Sequence, residues 1–145
     1  MPRPVLRPKP VLAALGGYVG GVALIAFWPT PVDRPVSGAL RGVLNRLHEI
    51  GVPAWFNYAF VEFAANVMLF VPLGFLVAAL LGRRRAWVAI IVGALASIAI
   101  ECVQWLMLPE RYPSAGDVLA NTIGAGIGAA VLAVVVSWPS HSRSA

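Results

Sequence analysis

Four long apolar segments separated by short polar ones dominate the pattern of this chain. They run over 11–28, 58–81, 86–108 and 117–138. The hydrocarbon core of a bilayer is about 30 Å thick, so a helix needs roughly 20 mostly apolar residues to cross it. Each segment is therefore predicted to be a membrane span. The predicted fold class is all-α: a polytopic membrane protein built as a four-transmembrane-helix bundle.

The segments that flank these spans define the domain organisation. A basic leader over 1–10 precedes the first span, a combination that also resembles a signal peptide. The first span ends in Phe27-Trp28-Pro29 without a small-x-small cleavage site, so we predict that it is not cleaved. The prediction is a cytoplasmic leader 1–10, a membrane domain 11–138 and a cytoplasmic tail 139–145.

Between the first two spans, apolar side chains recur at helical spacing over 33–51. Leu40 and Leu47 belong to this apolar face, and Arg41 and Glu49 fall on the opposite one. The pattern favours an extracytoplasmic amphipathic helix that lies on the membrane surface. A helix packed over the loop ends of the bundle is the alternative.

Composition and charge exclude a soluble protein and predict an orientation in the membrane. With 59% apolar and 12% charged residues, the chain falls outside the composition of soluble proteins. The net charge of +5 does not indicate a nucleic-acid partner, because the cations cluster at the ends of apolar segments. Positively charged loops stay in the cytoplasm, which predicts both termini inside. The cations on that side, which carries no acid, are Arg3, Arg7, Lys9, Arg83, Arg84, Arg85 and Arg143.

Candidate chemistry is confined to the outer halves of three spans, each of which carries a pair of polar residues three or four positions apart. Such spacing places each pair on one face of its helix. Hydrocarbon cannot satisfy polar groups, so these faces are predicted to meet in one pocket that opens outward. The pairs are Glu62 with Asn66, Glu101 with Gln104, and Asp117 with Asn121.

Counting along the helices predicts how deep these groups lie. Glu101 and Asn66 are expected at the same depth, with Glu62 and Asn121 one turn nearer the outer surface. Asp117 and Arg111 are expected at the rim.

Each of these residues also has a structural interpretation. Glu101 and Arg111 form either an ion pair that fixes the loop or contacts to a ligand, with proton chemistry as a third reading. Asn66 and Asn121 are more typical of hydrogen bonds between helices than of ligand contacts. Gly124 and Gly128 favour close helix packing, and an oligomer through these two glycines is one form it could take.

The residues that carry these features resemble the signature of the VanZ-like membrane proteins over about 62–130. They are Asn66-x-x-x-Phe70-x-Pro72-x-Gly74, then Glu101-x-x-Gln104, then Arg111 followed by Asp117-x-x-x-Asn121-x-x-Gly124. Many family members carry a second acid between the arginine and the aspartate, where this chain has Ser114. The resemblance implies a bacterial cell-envelope protein. The founding member contributes to resistance against the antibiotic teicoplanin without altering the peptidoglycan precursor as other resistance enzymes do.

The leading hypothesis is a non-enzymatic protein of the bacterial plasma membrane. Its outer-leaflet pocket would bind an amphiphilic ligand, such as a lipid-linked wall precursor or a lipoglycopeptide, beside membrane lipid. No cofactor and no metal are predicted. The alternatives are an intramembrane enzyme with Glu101 as general acid or base and, ranked last, a small transporter. The predicted ligand-binding residues are Asn66, Glu101, Gln104, Arg111, Asp117 and Asn121, supported by Glu62, Ser114 and Gly124.

Overall fold

A computed structural model describes residues 7–27, 34–107 and 113–137 of the chain. Across these ranges it contains helices and no strands, and four of the helices are long and apolar enough to cross a membrane. The predicted fold class is confirmed. The helices are α1 (Pro8–Ala26), α2 (Arg34–Glu49), α3 (Tyr58–Leu81), α4 (Val88–Met107) and α5 (Ala115–Ser137), with a short 3-10 turn (Arg83–Arg85) between α3 and α4.

The observed helix bounds follow the predicted segments closely. The main differences are at N-terminal ends, because α1 begins at Pro8 inside the predicted leader and α5 begins two residues before Asp117. The predicted span ends at Trp28, Leu108 and Trp138, and the tail 139–145, lie outside the described residues. We call the end of the bundle where α3 begins and α4 ends the α2 end, and the end with the three arginines the arginine end.

The bounds of α3 have clear local causes. The side chain of Asn57 accepts a hydrogen bond from the backbone N–H of Phe60 at 3.1 Å, which caps the first turn. At the other end, Gly82 has a φ of +79°, a conformation that side chains disfavour and that ends the helix. Pro72 lies inside the helix, which continues through it to Leu81.

The closest packing in the bundle is between α3 and α5, where glycine brings two backbones together. A Cβ at Gly124 would overlap the carbonyl oxygen of Val67, and one at Gly128 would overlap that of Val71. On α3, a Cβ at Gly74 would overlap the backbone of Ala125. Small residues therefore allow direct backbone contact within one chain. The oligomer remains a prediction, and the close-packing face of these glycines is occupied by α3.

Towards the arginine end, α3, α4 and α5 bury an apolar core. Phe70 and Leu132 are its largest fully buried side chains, and the small residues Ala78, Ala89 and Ala129 fill the space between the helices. Cys102, the single cysteine of the chain, is exposed on α4 and is not part of this core.

The first helix lies at the side of this core and is attached by few polar contacts. Val11 is its one buried residue, and the Tyr18 hydroxyl donates to the carbonyl oxygen of Leu69 on α3. The helix therefore packs through a narrow face. Most of its apolar side chains are exposed on the surface of the bundle, where they would contact lipid.

The amphipathic helix is present as predicted, over Arg34–Glu49, at the α2 end. Leu44 is buried, and the His48 ring bonds the carbonyl oxygen of Phe56 through Nε2 at 3.0 Å. The Arg41 guanidinium lies over the Tyr58 ring, 5.2 Å from its centroid. These contacts hold α2 against the start of α3, which favours packing over the bundle end, and its exposed apolar residues Val43 and Ile50 remain free to face a membrane surface.

Candidate functional site

A cavity of about 390 Å³ lies between the helices towards the α2 end. It is bounded by α1, α3, α4 and α5, with Leu40 of α2 at its edge. Its polar wall brings together five of the six predicted ligand-binding residues together with Glu62; Arg111 lies outside the described residues. The role of these residues in binding stays a prediction, but their convergence is a structural fact. The polar residues in the wall are Glu62, Asn66, Glu101, Gln104, Asp117 and Asn121.

One side of the cavity joins α3 to α5 through an amide and a carboxylate. Asn66 donates from Nδ2 to Oδ1 of Asp117 at 2.9 Å. The bond pairs two half-buried polar groups, and it joins α3 to α5 on the α2-end side of the glycine contacts.

A second carboxylate fixes the beginning of α5. Oε2 of Glu101 accepts a hydrogen bond from the backbone N–H of Ser114 at 2.8 Å, and the Ser114 hydroxyl in turn accepts from the Asp117 N–H at 3.2 Å. Glu101 is only 8% exposed. A buried carboxylate at a helix N-terminus is stabilised by the free N–H groups and by the helix dipole. Glu101 therefore anchors the first turn of α5 through this bond.

Deeper in the bundle, α4 and α5 meet through a fully buried polar pair. Asn121 donates from Nδ2 to the Ser97 hydroxyl at 2.8 Å. Its other amide atom, Oδ1, is buried and accepts no hydrogen bond from any residue that the structure describes. Asn121 also borders the cavity, so this acceptor lies at the inner part of the polar wall.

The remaining wall is contributed by α1, which the sequence did not predict as part of the site. Gln104 donates from Nε2 to the backbone carbonyl oxygen of Ala26 at 2.8 Å, which joins the ends of α4 and α1. Val22 and Ile25 of α1 add apolar lining, as do Leu69 of α3 and Ile100 of α4. The predicted pocket of three spans is therefore a pocket of four, with both polar and apolar residues in its lining.

The hydrogen bonds also correct the predicted depths. Asn121 pairs with Ser97, one helical turn further from the α2 end than Glu101, whereas it was expected one turn nearer the surface. Asp117 pairs with Asn66 rather than standing at the rim. The reason is that Glu101 binds Ser114, so α5 begins at the level of the Glu101 carboxylate, inside the bundle.

Sequence reasoning missed Ser97 as a partner of Asn121 and Ser114 as the cap of α5. Ser97 has the same spacing from Glu101, four residues, that was used to pair other polar residues. Ser114-x-x-Asp117 matches the capping-box pattern, but the Ser114 N–H is bound by Glu101 instead of by Asp117. Gly124, predicted to support the site, acts by letting α5 approach α3.

Across 7–27, 34–107 and 113–137, no group of three or more His, Cys, Asp or Glu side chains is placed so that it could hold a metal ion. What the described residues define is an integral membrane protein of the polytopic helical class, with an amphipathic cavity between its spans. The chain belongs to the VanZ/LLP1 family, whose model matches residues 15–136. No curated protein and no solved structure matches the chain. The family membership confirms the resemblance found in the sequence.

Proposed function

We propose that this VanZ/LLP1 protein is a non-enzymatic binding protein that holds the polar end of a membrane amphiphile in the cavity between α1, α3, α4 and α5. The observation that carries the proposal is the amphipathic lining of that cavity. The polar residues Glu101, Asp117 and Asn121 line it, and so do apolar residues such as Val22 and Ile100.

The dimensions and position of the cavity support this function. Small-molecule sites are typically clefts of about 300–1,000 Å³ with a few convergent polar groups in an apolar lining, and this cavity of about 390 Å³ fits that description. Ile25 borders the cavity and is 47% exposed on the outer face of the helix bundle. A ligand could therefore place its head group among the polar residues while its chain leaves past Ile25 towards lipid.

The cellular setting is part of the same proposal. We place the chain in a bacterial plasma membrane with both termini in the cytoplasm, so that the cavity faces the outer leaflet. Lipid-linked wall precursors and lipoglycopeptides such as teicoplanin are amphiphiles that occur on that side. We also propose that Arg111, which lies outside the described residues, contacts an anionic part of the ligand. Resistance to teicoplanin is one phenotype this binding would produce.

Photo-crosslinking at α1 tests the binding proposal. A photoreactive amino acid replaces Ile25, which borders the cavity, or its neighbour Leu24, which is 69% exposed and does not. We expect the position-25 probe to capture a discrete envelope amphiphile that mass spectrometry identifies, and the position-24 probe to capture bulk phospholipid. If both positions label the same phospholipids in the same proportions, the binding proposal is wrong.

Catalysis by Glu101 is the second candidate, favoured by one observation: a buried carboxylate borders a cavity of ligand size. Burial is the usual means of preparing a carboxyl group for proton transfer. Glu101→Gln keeps an acceptor for the Ser114 N–H and removes the ionisable group. Turnover of a lipid-linked wall substrate by purified protein, lost in this variant with the fold intact, would establish the enzyme and displace the binding proposal.

Transport ranks last. Beyond Asn121 and Ser97, the described parts of α3, α4 and α5 pack around the apolar core of Val77, Ala78 and Leu132. Movement of a polar solute past that core would require the three helices to separate.

A further inference from the structure

The hydrogen bonds around the cavity have a consistent direction. Three amide side chains line it, and each uses its NH2 group to bind the protein. Asn66 donates to Asp117, Gln104 donates to the Ala26 carbonyl oxygen, and Asn121 donates to Ser97. One of the two N–H donors of each amide is thus committed to holding helices together, and these bonds leave the amide oxygen atoms as acceptors.

Among those oxygens, Oδ1 of Asn121 is distinctive. It is buried, and no residue in the described ranges donates to it. Asn121 as a whole is 6% exposed, and it is one of the residues that line the cavity. Buried acceptors in native proteins are nearly always satisfied, so an acceptor of this kind beside a cavity indicates a donor that arrives with a ligand.

The surroundings of Asn121 select the kind of donor. The carboxylates that line the cavity, Glu62, Glu101 and Asp117, lie one turn or more nearer the α2 end. Asn121 itself is uncharged and lies level with Ser97. Phe70 and Ile100 border the cavity beside it. A cation carried to this depth would lose its hydration beside apolar side chains, which is costly, while a neutral hydroxyl loses far less.

We propose that Asn121 Oδ1 accepts a hydrogen bond from a hydroxyl group of the bound amphiphile, so that the ligand's innermost polar group is a neutral, hydroxyl-bearing one such as a sugar or polyol. This inference rests on the proposed binding function and specifies the ligand class for the same cavity. It assigns Asn121 as the residue that distinguishes ligands whose head group carries a hydroxyl from ligands whose head group does not.

A matched series of detergents with one alkyl chain tests the assignment. The full-length protein is kept in a dodecyl amine-oxide detergent, which has no hydrogen-bond donor, and is titrated with dodecyl glucoside, its fully O-methylated derivative or dodecylammonium. Native mass spectrometry measures the bound fraction. One net hydrogen bond changes affinity by up to about tenfold, so the glucoside should bind up to about tenfold tighter than its methylated derivative.

Substitutions then test whether Asn121 is the residue responsible for the preference for the glucoside. Asn121→Leu should remove the preference for the glucoside, while Asn121→Asp, which retains an acceptor oxygen, should keep it. Asn45→Leu is a matched control on the exposed face of α2, outside the cavity, and should leave the preference unchanged. If Asn121→Leu does not fold, the comparison between the glucoside and its methylated derivative in the wild-type protein still tests whether the cavity prefers a hydroxyl donor.

The outcomes separate this inference from the proposed function. Equal binding of the glucoside and its methylated derivative, or tighter binding of dodecylammonium, would overturn the hydroxyl assignment and leave amphiphile binding intact. Failure of every member of the series to bind would overturn both. A preference for the glucoside that persists in Asn121→Leu would show that another residue makes the contact and would overturn the assignment of Asn121.

Discussion

The carboxylate of Glu101 accepts a hydrogen bond at 2.8 Å from the backbone N–H of Ser114, thirteen residues further along the chain. This contact explains why an acid can be retained in an otherwise apolar span. It fixes where α5 begins, and it leaves Asp117, the usual partner of such an N–H in a capping box, available to bind Asn66. Glu101 and Asp117 therefore have different structural partners.

The first prediction concerns Glu101. In Glu101→Ala the Ser114 N–H loses its acceptor inside the bundle, and an unsatisfied buried donor costs about 1–3 kcal/mol. Glu101→Gln retains an acceptor oxygen and should lose less stability. Thermal unfolding in detergent should rank the proteins as wild type, then Glu101→Gln, then Glu101→Ala. Cys102→Ala, at an exposed neighbouring position on α4, is the control and should unfold like wild type. A Glu101→Ala variant as stable as wild type would contradict the anchoring role.

The second prediction concerns the contact between α3 and α5. Gly124→Ala places a Cβ against the Val67 carbonyl oxygen, and backbone cannot move aside cheaply. Overpacking of this kind typically costs about 1–3 kcal/mol. Gly126→Ala is the matched control, since a Cβ there meets only the Ile90 side chain at 3.8 Å. Unfolding in denaturant should separate the two variants, and equal stability would mean that the helices are not in backbone contact.

A third prediction addresses the pair formed by Asn121 and Ser97. Both residues are buried and their hydrogen bond joins α5 to α4. Hydrogen bonds between membrane helices contribute on average about 0.6 kcal/mol, with a maximum of about 1.7 kcal/mol. A double-mutant cycle with Asn121→Ala and Ser97→Ala should give a coupling energy towards the upper part of that range. Additive effects within error would show that the two side chains are not paired.

The fourth prediction concerns orientation. The 3-10 turn of three arginines lies at the opposite end of the bundle from Trp55, and positively charged loops stay in the cytoplasm. In a Cys102→Ala background, a cysteine at Trp55 should react with a membrane-impermeant maleimide in intact cells. A cysteine at Arg84 should react only after the cells are opened. The reverse pattern would place the cavity on the cytoplasmic side and exclude an outer-leaflet ligand.

Much of the fold could be predicted because apolar length and helical spacing are local properties of the sequence. Glu62 and Asn66, or Glu101 and Gln104, share a face whatever the helices pack against. The axial position of α5 relative to α4 could not be predicted in this way, because it depends on the contact between Glu101 and the Ser114 N–H. Counting from span ends therefore placed Asn121 about two turns from its observed level.

The participation of α1 in the cavity was missed for a related reason. Its polar contribution is the backbone carbonyl oxygen of Ala26, which accepts from Gln104, and a backbone atom leaves no signature in the side-chain pattern. Val22 and Ile25 are indistinguishable in the sequence from any lipid-facing residues. Sequence analysis therefore identified the polar wall of the site, while the apolar wall required the structure.

If the cavity holds an amphiphile, a bulky side chain placed inside the cavity should displace it. Ala65 borders the cavity, and Ala99 on α4 is exposed and does not. The protein is purified from its native membrane as wild type, Ala65→Trp and Ala99→Trp, and the bound amphiphile is quantified by native mass spectrometry. We expect wild type and Ala99→Trp to retain a stoichiometric amphiphile that Ala65→Trp loses. Equal retention by all three proteins, with Ala65→Trp correctly folded, would contradict binding of the amphiphile in the cavity.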